Sequence, residues 1–465
     1  MSAATSAGRV ALVTGATGFV GKVVLEELLR RRSELGLERV WLLVRAENTA
    51  HADARLRELL RSPCFAGLAP GWEPRVLAVA GEITRPGLGL APEDRERVAS
   101  EVTHVIHCAA SIEFDLPLAE ALAVNTRGAL HALELARACR WLESFVGVST
   151  AYVTPHPRPA AGTVHRAEER LAPLPRDAEA IFAAIHAGHV DAERLLAETG
   201  HPNTYTLTKC LAEHLVARRA EGLPVTLVRP SIVSASRERP VPGWIDSAAA
   251  FAGLVAMIGT GRIRVVAGDR RARVDVVPCD EVASRIVAAA FEPPPRGELR
   301  IRHAVSGLDG ALPIPLCRER IVGWFAGNPV GGGLARLDFV GRRGPLFHAA
   351  HALRHELPGL GASAWLALRR RPDKRQAVRR LLERQRSTNR DFAYFTHATF
   401  DFETSVPLRP ALEPGRYLDL VCEGVSRHLL RRDRRTRRGQ ASPRPAHAGG
   451  GGARQAPGDP ASTTS

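Results

Sequence analysis

The stretch RVALVTGATGFVG, residues 9–21, joins a short apolar run to three glycines spaced G-x-x-G-x-x-G. The apolar run predicts a buried parallel strand that ends at Gly15. Apolar side chains at helical spacing follow the last glycine. Glycines between a strand and a helix permit a tight turn and let a pyrophosphate approach the backbone at the helix N-terminus. The stretch therefore predicts a dinucleotide-binding unit; the alternative is a glycine turn of purely steric origin.

Five more apolar runs follow the first one, and helical patterns separate most of them. The runs lie at 39–45, 75–83, 102–110, 142–150 and 224–231. Clear helical patterns lie at 118–139 and 205–221. Strands that alternate with helices over the first 230 residues predict an α/β fold with a doubly wound, parallel, Rossmann-type sheet.

The alternation weakens beyond residue 231, where Pro, Gly and Trp become frequent. We therefore predict a nucleotide-binding domain over 8–345, with a small substrate region from about 231. A basic, mainly helical domain follows over 346–430. The last segment, 431–465, is rich in Arg, Gly, Pro and Ser and is expected to be disordered.

The formal net charge of +15 raises the question of an anionic partner. Nine Arg and two Asp lie between Arg427 and the C-terminus, so much of this charge belongs to the low-complexity tail. The sequence shows no nucleic-acid recognition motif, and we predict no nucleic-acid partner. Two roles stay open for the tail: a solvated segment, or a peripheral contact with an anionic membrane surface.

Seven cysteines are scattered without a C-x-x-C pair, which predicts reduced thiols in a cytoplasmic protein. The N-terminus lacks the pattern of a signal peptide. The longest apolar run, 247–259, is too short to span a bilayer and indicates a greasy pocket or a membrane-facing surface. The histidines, including His104, His107 and His165, lack the spacing of a ligand set, so no metal site is predicted.

A pair of rare residue types lies in HPNTYTLTK, residues 201–209. Only three of the 64 basic residues are Lys and only four residues are Tyr, yet Tyr205 and Lys209 form Tyr-x-x-x-Lys. The alternative is a helix whose exposed face carries both side chains. Together with the glycine spacing, however, the pair resembles the extended branch of the short-chain dehydrogenase/reductase superfamily. In that chemistry the tyrosine hydroxyl donates to a carbonyl oxygen as hydride arrives, and the lysine ammonium is expected to lower the tyrosine pKa.

Six segments in the same order narrow the resemblance to the fatty acyl-CoA reductases. They are TGATGFVGK, VIHCAASIEFD, VSTAYV, PNTYTLTK, VRPSIV and PGWIDS, and together they span roughly 9–285. The segment 54–65 is similar to the helix after that family's second strand, and 391–405 is similar to part of its small C-terminal domain. The resemblance implies NADPH-dependent reduction of a long-chain fatty acyl-CoA to fatty alcohol through a bound aldehyde. Two points stay open: whether reduction stops at aldehyde, and whether the carrier is CoA or acyl carrier protein.

The resemblance also assigns a catalytic set. Tyr205 and Lys209 match the catalytic pair, and Thr150 matches the hydroxyl that helps to position the substrate carbonyl. Ser149 is the alternative because it is adjacent. Asn125 matches a position that supports the active-site helix; its alternative is a helix cap.

The resemblance also implies a site for NADPH, which includes more residues than the catalytic set. Arg45 ends the second strand, where a cation suits the 2′-phosphate and an acid would favour NADH; the alternative is a solvated arginine. One departure is Glu82 after Gly81, where the family usually has Gly-Asp in contact with adenine. The predicted cofactor-binding residues are Thr14, Gly15, Thr17, Gly18, Phe19, Val20, Gly21, Arg45, Glu82, Ala109, Tyr205, Lys209, Pro230 and Ile232.

Two rival functions share parts of this pattern. An extended short-chain dehydrogenase acting on a sugar nucleotide or a sterol also uses Tyr-x-x-x-Lys, but sugars need polar contacts that the apolar run 247–259 does not offer. A non-catalytic NADP-binding sensor usually loses the tyrosine or the lysine, and this chain has both. An acyl chain would instead suit a tunnel between 247–259 and 346–430.

Overall fold

A computed structural model describes residues 8–155, 163–330 and 333–430. The predicted tail, 431–465, lies outside these residues. The strands, numbered in chain order, are β1 Arg9–Thr14, β2 Leu37–Val44, β3 Val76–Ala80, β4 His104–His107, β5 Ser144–Val148, β6 Val164–Ala167, β7 Val225–Pro230, β8 Ile232–Ser234, β9 Val265–Ala267, β10 Arg273–Val274, β11 Val276–Pro278, β12 Leu299–Ala304, β13 Leu312–Pro313, β14 Phe339–Gly341 and β15 Thr399–Phe402.

The helices are α1 Phe19–Arg30, α2 Arg32–Leu35, α3 Thr49–Leu60, α4 Pro92–Glu101, α5 Leu118–Leu122, α6 Gly128–Ala138, α7 Ala178–His186, α8 Ala192–Thr199, α9 Thr204–Arg219, α10 Ala250–Gly259, α11 Cys279–Phe291, α12 Gly307–Gly310, α13 Ile314–Gly327, α14 Pro345–His351, α15 Leu357–Leu368, α16 Pro372–His397 and α17 Pro414–Gly424. A π turn, Ala123–Arg127, connects α5 to α6, and a second one, Ala352–Glu356, connects α14 to α15.

Seven parallel strands form the central sheet, in the order β12-β7-β5-β4-β1-β2-β3. Apolar side chains that alternate along β1 pack on opposite faces, with Val10 and Leu12 on one face and Ala11 and Val13 on the other. Helices α4, α6 and α9 cover the first face, and α1, α3 and α11 cover the second. This arrangement confirms the predicted doubly wound Rossmann-type fold.

Each of the six predicted apolar runs contains a strand of this sheet, but the seventh strand, β12, was not predicted. Its sequence is LRIRHA, in which Arg300 and Arg302 interrupt the apolar pattern. Because β12 pairs only with β7 in this sheet, it is an edge strand, and long cations are tolerated there. After the substrate region, α11 and β12 therefore add a further helix and strand to the Rossmann-type sheet.

A third apolar cluster lies beside the sheet. Helices α10, α13, α16 and α17 contribute to it, together with β15. Strand β15 pairs in parallel with β6, so the C-terminal residues contact a segment that lies more than 200 positions earlier. Side chains from both sides of residue 345 thus share one core, and the division into domains 8–345 and 346–430 stays a proposal.

Candidate active site

The predicted site residues lie at the carboxyl ends of the central strands. The glycine turn follows β1, Arg45 follows β2, Glu82 follows β3, Ala109 follows β4 and Thr150 follows β5. The strand order reverses between β1 and β4, and this switch point is where doubly wound sheets form a crevice for ligands.

The glycine turn is tightly folded against the loop after β4. Gly15 has a positive φ of +74°, and a Cβ there would lie 2.6 Å from the backbone nitrogen of Ala109. A Cβ on Gly21 would lie 2.2 Å from the Gly15 carbonyl oxygen. Thr17 and Gly18 are exposed at the start of α1. Gly15 and Gly21 therefore have no room for a side chain, and the turn presents backbone to the crevice, which fits a pyrophosphate.

Three of the predicted cofactor-binding side chains pack inside the protein. The Thr14 hydroxyl lies 2.8 Å from His107 Nδ1 and accepts a hydrogen bond from the Ala109 backbone nitrogen at 3.2 Å, so it connects β1 to β4. Phe19 stacks on Trp244 with ring centroids 5.6 Å apart, and Val20 packs against the sheet core. These residues shape the turn from behind, because their side chains are already occupied by protein contacts.

Pro230 and Ile232 lie at the end of β7 and the start of β8, and both are buried. Ser231, between them, donates to the buried carboxylate of Asp275 at 2.5 Å. This segment therefore forms a rigid wall behind the crevice.

Arg45 is highly exposed, with 80% of its side-chain surface accessible, and its Nε lies 4.0 Å from a carboxylate oxygen of Glu82. A 2′-phosphate at this position would meet the guanidinium and would also lie close to the carboxylate. Glu82, which stands where the family usually has Asp, therefore lies close to Arg45, the side chain that was predicted to select NADPH.

The predicted catalytic residues come together where α9 meets the end of β5. Tyr205 and Thr150 are joined by a side-chain hydrogen bond, and Lys209 Nζ donates to the Val148 carbonyl at 2.8 Å. Asn203 caps α9 by accepting from the Thr206 backbone nitrogen at 2.9 Å. The cap fixes where the helix starts, and the four-residue spacing then places both side chains on one face.

The electrostatics of this cluster differ from the expectation that Lys209 would lower the tyrosine pKa. Burial raises the pKa of Tyr205 to about 12, and the hydrogen bond with Thr150 opposes this rise only in part. Burial also lowers the pKa of Lys209 to about 8. The expectation was wrong because it considered charge attraction alone, whereas desolvation dominates both groups here. Tyr205 is therefore a phenol at neutral pH, which is the form that donates a proton.

Asn125 lies in the first π turn, and no helix cap involves its side chain. Its amide oxygen accepts from the Ser111 backbone nitrogen at 2.9 Å, and its amide nitrogen donates to Thr208 Oγ1 at 3.1 Å. Asn125 thus connects the loop after β4 to α9. Ser149, the alternative to Thr150, has a buried hydroxyl with no hydrogen-bond partner among the described residues.

Phe114 is a site residue that sequence reasoning did not assign, although the segment SIEFD was noted. Its ring centroid lies 5.8 Å from that of Tyr205 and 5.7 Å from that of Phe395 in α16. Arg390 of α16 also lies 3.9 Å from Asp115. The loop after β4 and helix α16 therefore close the site on the side of Tyr205.

Two ion pairs next to the site were also missed. Lys22, in the first turn of α1, donates to the carboxylate of Asp246, and both side chains are largely buried. The fully buried Arg229 forms a bidentate pair with Glu213, with Nε 2.9 Å from Oε1. Since Glu213 lies one turn after Lys209, this pair fixes α9 on β7. The segments TGATGFVGK, PGWIDS and VRPSIV contain three of these residues, but which groups pair is a property of the fold.

A narrow apolar cleft lies beside the site, between the two stretches that were expected to form a tunnel. Helix α10 and helix α16 both line it, and its lining residues are Phe251, Leu254, Ile258, Val266, Ala267, Val274, Ile314, Cys317, Arg318, Ile321, Leu337, Val340, Phe392 and Thr396. An outer cleft shares Ile314, Arg318, Leu337 and Val340 with it, and Arg270 and Arg336 also line this outer cleft. The lining of the inner cleft is apolar apart from Arg318 and Thr396.

The chain matches known proteins over most of this region. The family model described as Male sterility protein matches residues 13–286. The chain is 34% identical over 286 residues to Fatty acyl-CoA reductase wat of Drosophila melanogaster, which covers 60% of this chain and 53% of that protein. It is 35% identical over 292 residues to human Fatty acyl-CoA reductase 1, covering 61% of this chain and 55% of that protein.

The chain thus spans about half the length of the curated relatives that it matches. These matches confirm the resemblance to the fatty acyl-CoA reductases that was stated from the sequence segments.

Solved structures share the fold at lower identity. The terminal R domain of the myxalamid PKS-NRPS biosynthetic pathway aligns with a TM-score of 0.62 and 23% identity, over 92% of each chain. UDP-glucuronic acid 4-epimerase from Bacillus cereus, in complex with NAD, aligns with a TM-score of 0.51 and 15% identity, over 90% of this chain and 98% of that chain. Both likenesses concern the fold alone.

Proposed function

Because the chain belongs to the Male sterility protein family, we propose that it is an NADPH-dependent reductase that converts a long-chain fatty acyl-CoA thioester to a fatty alcohol through a bound aldehyde. The observation that supports this best is the cluster of Thr150, Tyr205 and Lys209 beside the glycine turn, inside the segment that the family model matches. The curated relatives named fatty acyl-CoA reductases supply the substrate class.

The cofactor site uses the crevice at the end of the sheet. The backbone of the turn from Gly15 to Gly21 would hold the pyrophosphate, and the N-terminus of α1 would stabilise its charge. Arg45 would hold the 2′-phosphate, which would compete with Glu82 for the guanidinium. The ammonium of Lys209 donates to the Val148 carbonyl at the end of β5, from where it would also donate to the ribose hydroxyls. NADPH bound in this crevice supplies hydride to the carbonyl carbon of the substrate.

Tyr205 and Thr150 act on the carbonyl oxygen. As the thioester carbon accepts hydride, its oxygen gains negative charge, and both hydroxyls donate hydrogen bonds to it. Tyr205 then transfers its proton, since burial keeps the phenol protonated at neutral pH. In the resulting hemithioacetal the C–S bond breaks and the hydroxyl proton passes to the departing thiolate, which leaves the aldehyde and the free thiol. After Tyr205 regains a proton from water, a second reduction of the aldehyde by the same groups gives the alcohol and consumes a second NADPH.

The apolar cleft explains why the aldehyde would remain bound between the two reductions. Each methylene that is buried adds roughly 0.8 kcal/mol to binding. Residues of α10 and α16 line the cleft, and Phe395 of α16 connects this wall to Tyr205 through Phe114. We propose that residues 8–345 perform the chemistry and that residues 346–430 contribute part of the wall that binds the acyl chain.

The test is a substrate panel with product identification. NADPH oxidation is measured with acyl-CoA esters of increasing length and with the same acyl groups on acyl carrier protein, and Tyr205→Phe is the inactive reference. We expect two NADPH per long acyl group, fatty alcohol as the product, and reduction of added fatty aldehyde. Aldehyde that accumulates at one NADPH per thioester, with added aldehyde left unreduced, would refute the alcohol assignment.

A further inference from the structure

An exposed row of leucines runs along the helix that starts the C-terminal block. Helices α14 and α15 and the π turn between them form one continuous helix over 345–368. Its 24 residues span about 36 Å. Exposed apolar residues recur along it at intervals of three, four or seven positions, which places them on one side of the helix. This leucine stripe consists of Leu346, Leu353, Leu357, Leu360, Ala364 and Leu368.

The opposite side of the helix is fixed to the protein. Phe347, His351, His355 and Leu366 are buried there. His355 Nε2 accepts from two successive backbone nitrogens before and in β9, each at 3.2 Å. Gly359 approaches α16 so closely that a Cβ would lie 2.7 Å from Leu382. The leucines therefore face outward because the rest of the helix is docked. Single exposed leucines are ordinary, but a continuous row of this length is not.

Basic side chains surround the stripe at both ends. The segment 342–380 contains ten Arg and Lys residues and only two carboxylates. Arg342 and Arg343 precede the helix, and Arg369, Arg370 and Arg371 follow it, all of them exposed. Trp365 is exposed near the C-terminal end, with the Arg369 guanidinium 5.3 Å from its ring centroid. Leucine and tryptophan flanked by arginine are typical of helices that lie in a membrane interface.

We propose that the leucine stripe docks this protein on the surface of an anionic lipid bilayer, with the helix 345–368 lying in the plane of the interface. Charge favours lipid over a second copy of the chain. Both ends of the stripe are basic, so pairing two stripes in either direction would bring arginines together, whereas anionic headgroups neutralise them. Within the described ranges no helix has both the length and the apolar character that crossing a bilayer requires.

If the proposed function is correct, docking in this position would let the acyl substrate enter the cleft from the bilayer. Val340 and Arg336 line the outer cleft, and three residues separate the end of β14 from the start of the helix. A docked helix would thus bring the mouth of the cleft to the bilayer, where long acyl chains partition.

Vesicle flotation of the full chain tests the docking itself, without substrate. The probes are vesicles of phosphatidylcholine alone and of phosphatidylcholine with about 30% phosphatidylglycerol. We expect binding to the anionic vesicles, about tenfold weaker binding to the neutral ones, and about tenfold or greater loss in the double variant Leu360→Glu, Leu368→Glu. Leu346→Glu, at the other end of the stripe, should also weaken binding and serves if the double variant fails to fold.

The chain offers a matched control for this experiment. Trp141 and Trp365 are 55% and 56% exposed, and each has an arginine guanidinium about equally far from its ring, at 5.0 and 5.3 Å. Trp365→Ala should weaken vesicle binding and Trp141→Ala should not.

Three outcomes would overturn the proposal. The first is that the unmodified chain shows no flotation with anionic vesicles. The second is that the glutamate variants float as well as the unmodified chain does, which would place any membrane contact elsewhere, as in the basic tail. Alternatively, sedimentation could reveal a dimer that Leu360→Glu dissociates, which would show that a second copy covers the stripe. Reductase activity with short acyl-CoA in vesicle-free solution is measured in parallel, so failure of docking and failure of the proposed function are distinguishable.

Discussion

Residues 9–285 and residues 346–430 meet around Tyr205, but their sequences reveal their roles to very different degrees. The first region contains recognisable segments, and its reactive groups follow strand ends whose positions the apolar pattern predicts. The second region contains no chemical motif, yet it contributes Phe395 next to Phe114 and two residues to the apolar cleft. The positions of reactive groups can be predicted from local sequence patterns. The wall that binds the acyl chain cannot, because it depends on which surfaces the fold brings together.

The largest expected effect concerns the first region. Tyr205→Phe should lower kcat by about 10²-fold or more for every acyl length, because the general acid is lost. Lys209→Ala should lower kcat and also weaken NADPH binding, because the ammonium contacts the cofactor as well. Steady-state kinetics and a fluorescence titration with NADPH measure the two effects.

Lys374 provides the matched control for the lysine, since it is one of only three lysines and is exposed on α16. Lys374→Ala should retain normal turnover and cofactor affinity. Near-normal turnover in Tyr205→Phe would contradict the proposed mechanism and, with it, the assignment of chemistry to the first region.

The contact between the two regions should affect the selectivity for acyl chain length more than the rate of the chemical step. Phe114→Leu keeps an apolar side chain but removes the ring between Tyr205 and Phe395. We expect kcat/KM for long-chain acyl-CoA to fall by about tenfold, because part of the apolar wall is lost, with a smaller change for short chains. Kinetics across the length series measure this.

Phe182→Leu is the control, since Phe182 is partly buried on α7, where it packs beside the core under α9. It should leave the length profile unchanged. An equal loss at all lengths in Phe114→Leu would mean that this contact positions Tyr205 and does not select the chain.

The pH dependence should belong to the first region alone. Burial lowers the pKa of Lys209 to about 8, so its ammonium is present below that pH and is lost above it. Tyr205, with a pKa of about 12, stays protonated throughout this range. We therefore expect kcat/KM to fall by about tenfold per pH unit above pH 8. The midpoint should be the same for short and long acyl chains, and a midpoint that moves with chain length would contradict this assignment.

The smallest expected effect concerns Glu82. If its carboxylate competes with the 2′-phosphate for Arg45, then Glu82→Gln should lower the KM for NADPH by about two- to fivefold, the scale of an exposed ion pair. Arg45→Asp should raise the KM for NADPH and spare NADH, while Arg57→Asp on α3 serves as an exposed control. Equal use of NADPH and NADH by the unmodified protein would refute the role of Arg45.

Sequence reasoning reached the fold and the reactive groups because both depend on near neighbours in the chain. The run RVALVT, the glycines after it and the four-residue spacing of Tyr205 and Lys209 each specify a local geometry. Strand β12 escaped prediction for the same reason: its arginines break the local pattern, and only its pairing with β7 identifies it as part of the sheet.

The remaining features depended on packing between distant segments. Amino-acid order alone determined a doubly wound sheet with a glycine turn and a Tyr–Lys helix, because strand and helix periodicity are encoded within a few residues. Tertiary structure alone decided that Lys22 meets Asp246, that Asn125 connects the loop after β4 to α9 instead of capping a helix, and that Phe395 faces Phe114. It also decided the protonation of Tyr205, since the pKa of a buried group depends on how much water the surrounding chain removes.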